Sequence, residues 1–313
     1  MSIVITGAGG QLGQALQLTA PARLTGAIRA LRRADLDITD ARAVASSPLL
    51  EGAQLVLNCA ADTAVDAAED PECAGQAEAV NALAPELLAA RCAAEGAHLV
   101  HVSTDYVFGA GACGPTLGTD DAAGGAARRP LRPSDPTCPE SVYGRTKLAG
   151  ERAVLDGTPA ATVVRTAWVF SGALLPEHRD FVSTMLRLAR AGKDPAVVCD
   201  QVGSPTYVAD LARALWRLCA LRLGYAPAAE YAAEAKRLPA RGVVHAVGAG
   251  QASWFEVARE VFAAAGYDPE RVASTDSAGY PQKAPRPAWS VLCSDFNLPE
   301  WRSGIARAVA ARL

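Results

Sequence analysis

The sequence is poor in the features that metal sites, membrane helices and nucleic-acid binding require. It has only four histidines, and its eight cysteines form no C-x-x-C pair and no cluster with histidine, which excludes the common structural zinc sites. No apolar run reaches the roughly 18 residues of a membrane helix. The formal net charge of -3 offers no basic field to a phosphate backbone. We therefore expect no metal ion, no nucleic-acid partner and no membrane insertion.

The cysteines and the first residues bear on the cellular compartment. The cysteines are scattered, at positions 59, 73, 92, 113, 138, 199, 219 and 293. Such scatter favours reduced thiols over disulfide bridges or metal ligands. Residues 1–6 pass directly into an apolar strand, without the basic start, long apolar core and cleavage site of a secretory signal. The prediction is a cytoplasmic protein.

The first half of the chain alternates short β-rich apolar runs with Ala- and Leu-rich stretches of helical period. This pattern is typical of a parallel sheet with crossover helices. Predicted strands are Ser2–Thr6, Ala27–Leu31, Leu55–Cys59, His98–Ser103, Ala161–Thr166, Ala196–Val198 and Gly242–Val247. Predicted helices are Gln11–Thr19, Pro71–Glu95 with a break near Pro85 left open, Val142–Val154, Phe181–Ala191, Val208–Leu221 and Ser253–Ala265. Between Gly109 and Cys138 lies a long loop, for which we favour a partly mobile surface insertion over the alternative of a substrate lid.

These elements predict an α/β fold class, a Rossmann-type doubly wound parallel sheet with a smaller C-terminal α/β substrate lobe. The length of 313 residues allows one large unit and such a lobe. Residues 1–170, with about 206–245 returning, would form the NAD(P)-binding domain. Residues of about 171–205 and 246–313 would form the lobe that binds the substrate.

A glycine-rich turn joins the first predicted strand to the first helix. Gly7 allows a tight turn, Gly10 lets backbone N–H groups approach a pyrophosphate, and Gly13 lets the helix pack closely on the strand. The helix N-terminus then faces the anion with its partial positive charge. Its place at the opening of the first βαβ unit favours a dinucleotide site over a plain tight turn.

The end of the second strand bears on the choice of cofactor. An acidic residue there usually binds the ribose of NAD, whereas this strand ends in Arg32 and Arg33. Asp37 and Ile38 follow and are better placed for the adenine than for the ribose. We predict NADPH, with Arg32 or Arg33 near the 2′-phosphate. NADH, with both arginines merely solvated, remains the alternative.

Tyr143 and Lys147 open a helix directly after the long loop, so their side chains project from one face. A nearby ammonium favours the phenolate and would lower the tyrosine pKa toward a range useful for proton transfer. Thr104 ends the fourth strand, at the sheet edge where ligands bind, and its hydroxyl could donate to a substrate carbonyl. Thr104 and Asp105 could instead simply cap the strand end.

With these residues in hand, the chain resembles the extended short-chain dehydrogenases, and within them the dTDP-4-dehydrorhamnose reductases and related 4-ketoreductases. The resemblance covers nearly the whole chain. The matching stretches are residues 7–13, 58–66 (NCAADTAVD), 103–108 (STDYVF), 143–151 (YGRTKLAGE), 165–168 (RTAW) and 200–206 (DQVGSPT), with Arg286, Pro287 and Ser290.

The resemblance implies the roles of the site residues. The catalytic set would be Thr104, Tyr143 and Lys147. The cofactor would contact Gly7, Gly10, Gln11, Leu12, Gly13, Arg32, Asp37, Ile38, Cys59, Ala60, Ala61 and Lys147. The sugar nucleotide would contact Val65, Thr104, Asp105, Tyr143, Trp168 and Arg286, in a cleft shaped by Gly203, Pro205 and Thr206. Trp168 as an ordinary core aromatic and Arg286 as a solvated side chain remain alternatives.

The implied reaction is NAD(P)H-dependent reduction of the C4 keto group of a nucleotide-linked 4-keto-6-deoxy sugar, with dTDP-4-dehydro-L-rhamnose as the first candidate. In it, Lys147 would hold the nicotinamide ribose and keep Tyr143 acidic. Alternatives are another dTDP-hexose 4-ketoreductase and a catalytically silent NADP-binding regulatory homologue. A dehydratase is disfavoured because Tyr106 stands where that pattern has a glutamate.

Three departures from the pattern affect the substrate and the assembly. The 108–143 loop and the 171–180 segment look longer than the family pattern, and Asp180 replaces an asparagine. Ala15 stands where some members have an acidic ligand of a dimer-bridging magnesium ion, so we predict a monomer.

Overall fold

The computed structural model describes residues 2–109, 118–119, 127–225, 228–280 and 282–313. Its strands are β1 (Ile3–Thr6), β2 (Ile28–Leu31), β3 (Leu55–Asn58), β4 (His98–Thr104), β5 (Gly118–Thr119), β6 (Ala127–Arg128), β7 (Ala161–Thr166), β8 (Val169–Phe170), β9 (Ala196–Val198), β10 (Val202–Gly203), β11 (Thr206–Tyr207), β12 (Gly242–His245), β13 (Ala252–Ser253), β14 (Ala273–Thr275) and β15 (Trp289–Ser290). Its α-helices are α1 (Gln11–Leu18), α2 (Ala41–Ser46), α3 (Pro71–Glu78), α4 (Ala84–Glu95), α5 (Val142–Gly157), α6 (Phe181–Arg190), α7 (Val208–Arg222), α8 (Ala232–Arg237), α9 (Trp254–Ala264) and α10 (Trp301–Val309).

A six-stranded parallel sheet, in the order β12-β7-β4-β3-β1-β2, forms the centre of the fold. The order reverses at β1, as in a doubly wound sheet, so the predicted fold class is confirmed. Every predicted strand and helix is present, with ends within about three residues of the prediction. Helices α2, α8 and α10 were not predicted.

The predicted helix over residues 71–95 consists of α3 and α4 joined by a π-helical turn, Ala79–Leu83. Pro85 has no N–H to donate to the carbonyl of Asn81, four residues earlier, and its ring would clash with that carbonyl in a regular α-helix. The wider π-turn provides room just before the proline, so the helix continues through position 85. The freed Asn81 backbone carbonyl lies against Gly150 of α5, where no side chain would fit.

The sheet is buried on both faces, as expected for parallel strands covered by helices. On β1, Ile3 and Ile5 face the larger apolar cluster and Val4 faces the smaller one. The larger cluster extends from α1 through α7 to α9 and α10. A hydrogen bond also joins α7 to α1, because the indole Nε1 of Trp216 donates to the carbonyl of Leu16 at 3.0 Å. The two predicted lobes therefore share one core, and their division stays a prediction.

The C-terminal part adds small sheets beside the carboxyl edge of the large one. Strand β10 pairs with β13 and β15, β8 pairs with β11, and β9 pairs with β14. Of the long loop predicted before α5, residues 110–117 and 120–126 lie outside the described part, so its mobility stays a prediction. The part after β6 packs on the C-terminal region, where Leu131 N–H donates to the carbonyl of Val291 at 2.7 Å.

The cysteines only partly follow the prediction. Those at 59, 73, 92, 199, 219 and 293 are free thiols. Cys138 is disulfide-bonded, so the prediction of a reduced thiol is wrong there, and Cys113 lies outside the described residues. Scatter along the sequence does not reveal which cysteines a fold brings together. None of the described helices is long and apolar enough to span a membrane.

Candidate active site

Two adjoining cavities, of about 600 and 590 Å³, lie at the carboxyl ends of the central strands. They share Gly10, Cys59, Ala61 and Thr63, so they form one groove across the glycine-rich turn. Of the predicted cofactor residues, Gly7, Arg32, Asp37, Ile38 and Ala60 line the second cavity, while Gln11, Leu12 and Lys147 line the first. The groove lies at the carboxyl ends of the strands and crosses the glycine-rich turn, the position at which this fold binds a dinucleotide.

The glycine-rich turn fits a pyrophosphate. Gly7 has φ +73°, and a Cβ there would lie 2.5 Å from the backbone nitrogen of Ala60. A Cβ on Gly13 would lie 2.7 Å from Cα of Ala8, so this glycine lets α1 pack on the turn, although it lines neither cavity. Gly10 is the N-cap residue of α1 and has no side chain to cap the helix. The first N–H groups of α1 are therefore free to bind an anion.

Both arginines at the end of β2 line the second cavity. Arg33 forms an exposed ion pair with Asp37 at 3.4 Å. Hydrogen bonds from Thr39 hold the pKa of Asp37 below its usual value. Arg32 has no side-chain hydrogen bond or ion pair among the described residues, so its guanidinium is the freer of the two to meet a phosphate.

The predicted catalytic tyrosine lies in the first cavity, beside the end of β4. Tyr143 is buried, and its ring meets that of Tyr106 edge to face, with centroids 5.4 Å apart. Burial raises the pKa of Tyr143, while a hydrogen bond with the Thr104 side chain opposes the rise. Thr104 also accepts from the N–H of Tyr106 and donates to Asp105 Oδ1 at 3.1 Å. Thr104 therefore caps the strand end and lines the cavity at once.

Lys147 differs from the prediction in its effect on Tyr143. Its Nζ is buried and donates to the backbone carbonyl of Val102 at 2.8 Å. Burial lowers the pKa of Lys147 to about 8, while Glu151 opposes the change. The expectation that this lysine lowers the tyrosine pKa is wrong for the protein without ligands, because burial of Tyr143 outweighs its neighbours and raises its pKa.

The side chain of Asp105, which follows Thr104 at the end of β4, is buried. Burial raises its pKa to about 6, against the hydrogen bonds that it accepts. Its Oδ2 has no hydrogen-bond partner among the described residues. Asp105 as a residue also lines the first cavity.

The predicted sugar-binding tryptophan is held in a strained conformation. Trp168 has φ +47°, which is rare for a residue with a side chain and is often found at binding sites. Its indole stacks on that of Trp254, with centroids 3.7 Å apart and planes 5° apart. The Phe181 ring packs against that of Trp254, with centroids 4.6 Å apart. The three rings form an aromatic wall of the first cavity, to which Val65 also contributes.

Arg286 lies beside the first cavity rather than in its wall. Its guanidinium donates to Tyr106 Oη at 2.8 Å and to Asp66 Oδ2 at 2.6 Å. The arginine therefore reaches the site through Tyr106, which does line the cavity. Gly203 touches the Trp168 ring, Pro205 lines the cavity, and Thr206 donates behind it to the Ser204 carbonyl.

Several cavity residues were not predicted. Among them are His178, Arg179, Asp180, Phe181 and Trp254. The segment that holds the first three crosses to α1, because Gln11 Nε2 donates to Asp180 Oδ2 at 3.0 Å. The departure at Asp180 was the one signal in the sequence that pointed to this segment.

Comparisons with known proteins agree with this geometry. The profile of the family described as "RmlD substrate binding domain" matches residues 1–313. A dTDP-4-dehydrorhamnose reductase of Mycobacterium tuberculosis is 46% identical over 99% of this chain and 92% of its own length. A probable dTDP-4,6-dihydroxy-2-methyloxan-3-one 4-ketoreductase of Streptomyces antibioticus is 39% identical over 98% of this chain and 94% of its own.

Among solved structures, a dTDP-4-dehydrorhamnose reductase from Bacillus anthracis in complex with NADP superimposes with a TM-score of 0.81. It is 29% identical and covers 99% of both chains. The resemblance predicted from the sequence motifs is therefore confirmed. The chain belongs to the dTDP-4-dehydrorhamnose reductase family.

Proposed function

We propose that this protein uses NADPH to reduce the C4 keto group of dTDP-4-dehydro-L-rhamnose, which yields dTDP-L-rhamnose. The observation that carries the proposal is that Tyr143, Thr104 and Lys147 line one cavity, which continues into the glycine-rich groove. The cofactor is supported by the NADP complex of the Bacillus anthracis reductase and by the two arginines in the second cavity. The substrate is supported by the names of the relatives at up to 46% identity.

The chemistry divides between cofactor and protein. When bound, NADPH supplies the hydride that adds to C4. The electrons of the C4–O4 double bond then pass to O4, which takes its proton from Tyr143. A tyrosine whose pKa is raised holds that proton at neutral pH, so Tyr143 is ready as the acid of a reduction. Thr104 turns its single hydroxyl proton from Asp105 to O4 and stabilises the charge that develops there.

Other residues position the two ligands. The glycine-rich turn and α1 hold the cofactor pyrophosphate, and Arg32 binds the 2′-phosphate. Val65, Asp105 and Trp168 hold the sugar against Tyr143. Arg286, steered by Asp66, binds a diphosphate oxygen of the sugar nucleotide. The lobes would divide as predicted, with the substrate lobe contributing Phe181 and Trp254 of the aromatic wall.

A second candidate is reduction of a different dTDP-4-keto-6-deoxy sugar. The relative from Streptomyces antibioticus, 39% identical, is named for such a 4-ketoreductase. The segment that carries His178 to Asp180 lines the cavity and departs from the family pattern, so the hexose is decided there.

Turnover distinguishes these candidates. The purified protein is mixed with NADPH and dTDP-4-keto-6-deoxyglucose, with and without a 3,5-epimerase, and NADPH oxidation is followed by absorbance. Oxidation that needs the epimerase and is lost in Tyr143→Phe supports the rhamnose reaction. Oxidation without the epimerase favours the second candidate, and tight NADPH binding without oxidation contradicts both and indicates a silent binder.

A further inference from the structure

A buried chain of polar side chains links β1 to Lys147. Thr6 Oγ1 donates to Asn58 Oδ1 at 2.7 Å, and Asn58 Nδ2 lies 3.0 Å from Nδ1 of His101. The other ring nitrogen, Nε2 of His101, lies 3.5 Å from Nζ of Lys147. All four residues are at most 1% exposed. Buried groups of this kind must satisfy one another, so the direction of each hydrogen bond can be worked out.

The direction is fixed at Asn58. The backbone N–H of Ala60, which can only donate, points at Asn58 Oδ1 at 3.1 Å. The amide oxygen therefore faces Thr6 and Ala60, and the amide NH2 faces His101. Since that NH2 donates, Nδ1 of His101 must accept and carries no proton. The neutral ring then carries its proton on Nε2, the nitrogen that faces Lys147.

An N–H that faces an amine favours the form of that amine with a lone pair. It acts against the ammonium form of Lys147, in the same direction as burial. Charged and titratable neighbours act the other way. Glu151 of α5 and Cys59 after β3 favour the ammonium, although Arg165 of β7 binds Glu151 at 2.7 Å. Tyr143 stands about one helical turn before Lys147 on α5.

We propose that His101 is a positioning residue, which directs its Nε2–H at Lys147 and so favours the neutral amine over the ammonium. The role of Lys147 in catalysis that follows from this inference rests on the proposed function. After Tyr143 gives its proton to O4, the phenolate must regain one before the next turnover. A lysine that gives and regains a proton near the working pH serves this step best. Asn58 and Thr6 contribute by fixing the tautomer of His101.

Nuclear magnetic resonance tests the inference on the protein without ligands. The sequence has only four histidines and four lysines, and Lys193, Lys236 and Lys283 are exposed, so the signals are few. With 15N-labelled histidine, His101 is expected as the neutral Nε2–H tautomer throughout pH 6–9. A proton found on Nδ1 would overturn the proposal.

Two variants then test the effect on Lys147, whose signal is followed with 13C-labelled lysine against pH. In Asn58→Asp the side chain can only accept, which favours the His101 proton on Nδ1 and a lone pair toward Lys147, while the new carboxylate also raises the pKa of Lys147 through its charge. We expect the pKa of Lys147 to rise by about 1 or more. His101→Leu removes the N–H and should raise it by a smaller amount. His98→Leu, on the same strand but bonded to Thr162, is the matched control and should leave it unchanged.

His101→Leu adds no charge and therefore decides: an unchanged Lys147 titration in this variant, with folded protein by circular dichroism, overturns the proposal. The alkaline limb of kcat/KM should move with the Lys147 titration in either variant. Because the resonance measurements need no turnover, they stand apart from the proposed function. Absent turnover with a normal Lys147 response would refute the function alone.

Discussion

Gly203 packs so closely against Trp168 that a side chain would not fit between them. A Cβ at position 203 would lie 2.7 Å from Cζ2 of the indole. The Trp168 ring is also stacked on Trp254, so a shift of the ring would disturb this stack. The aromatic wall of the cavity therefore depends on a glycine of β10.

The variant Gly203→Ala should displace Trp168 and weaken binding of the sugar nucleotide. We expect kcat/KM for the sugar nucleotide to fall about tenfold or more, which corresponds to about 1.4 kcal/mol, with the Kd of NADPH unchanged. Gly75→Ala is the control, since a Cβ there meets nothing within 4 Å. An unchanged kcat/KM in Gly203→Ala would show that Trp168 does not hold the substrate.

The variant Arg32→Ala tests the recognition of the 2′-phosphate. Loss of one charge-assisted contact should raise the Kd of NADPH about tenfold and leave that of NADH unchanged. Fluorescence titration of each cofactor measures both values. Arg42→Ala, on the exposed face of α2, controls for net charge. Equal losses for NADPH and NADH would place Arg32 elsewhere than at the 2′-phosphate.

Much of this groove could be predicted from the chain because its parts are local in sequence. Gly7, Gly10 and Gly13 form one turn, and Tyr143 and Lys147 share one helix face, so spacing alone brings them together. The strands were visible because a sheet buried on both faces reads as continuous apolar runs.

Parts made by distant residues could not be predicted. Trp254 stacks on Trp168 from 86 residues further along the chain, and no periodicity joins the two. The pKa of Tyr143 was predicted in the wrong direction, because the argument used the nearby lysine and had no measure of burial. Arg286 was predicted to contact the sugar nucleotide, but its ion pair with Asp66, 220 residues earlier, was not predicted.

Asp105 should make stability depend on pH in the acid range. Its folded pKa of about 6 lies above the usual 3.8, so the folded state binds the proton more tightly than the unfolded state. The stabilisation is fully present below about pH 4 and is lost as pH rises through 6. Asp105→Asn should therefore be more stable than wild type at pH 8, by on the order of 3 kcal/mol, with the gain vanishing near pH 4. Urea unfolding at the two pH values measures this, and an equal difference at both would contradict it.

The ion pair between Glu151 and Arg165 should be worth more than those on the surface. Both side chains are at most 4% exposed, and Glu151 also accepts from Ser103. Glu151→Gln leaves the guanidinium charge buried and should lower the free energy of unfolding by about 3–5 kcal/mol. Glu270→Gln, in the exposed pair with Arg259, should change it by less than about 1 kcal/mol. Urea denaturation of both variants at neutral pH measures the contrast, and equal losses would contradict it.

The strand order of the central sheet has a consequence for the chain as it is synthesised. β7 ends at Thr166, but its outer neighbour β12 begins only at Gly242. At about 5–20 residues per second, the ribosome needs several seconds to make the stretch between them. Throughout that interval β7 is the last strand of the nascent sheet, and the edge that will pair with β12 is open. Other chains can add to an open edge of this kind. A polypeptide released before residue 242 keeps that edge permanently, so premature termination yields a fragment prone to self-association.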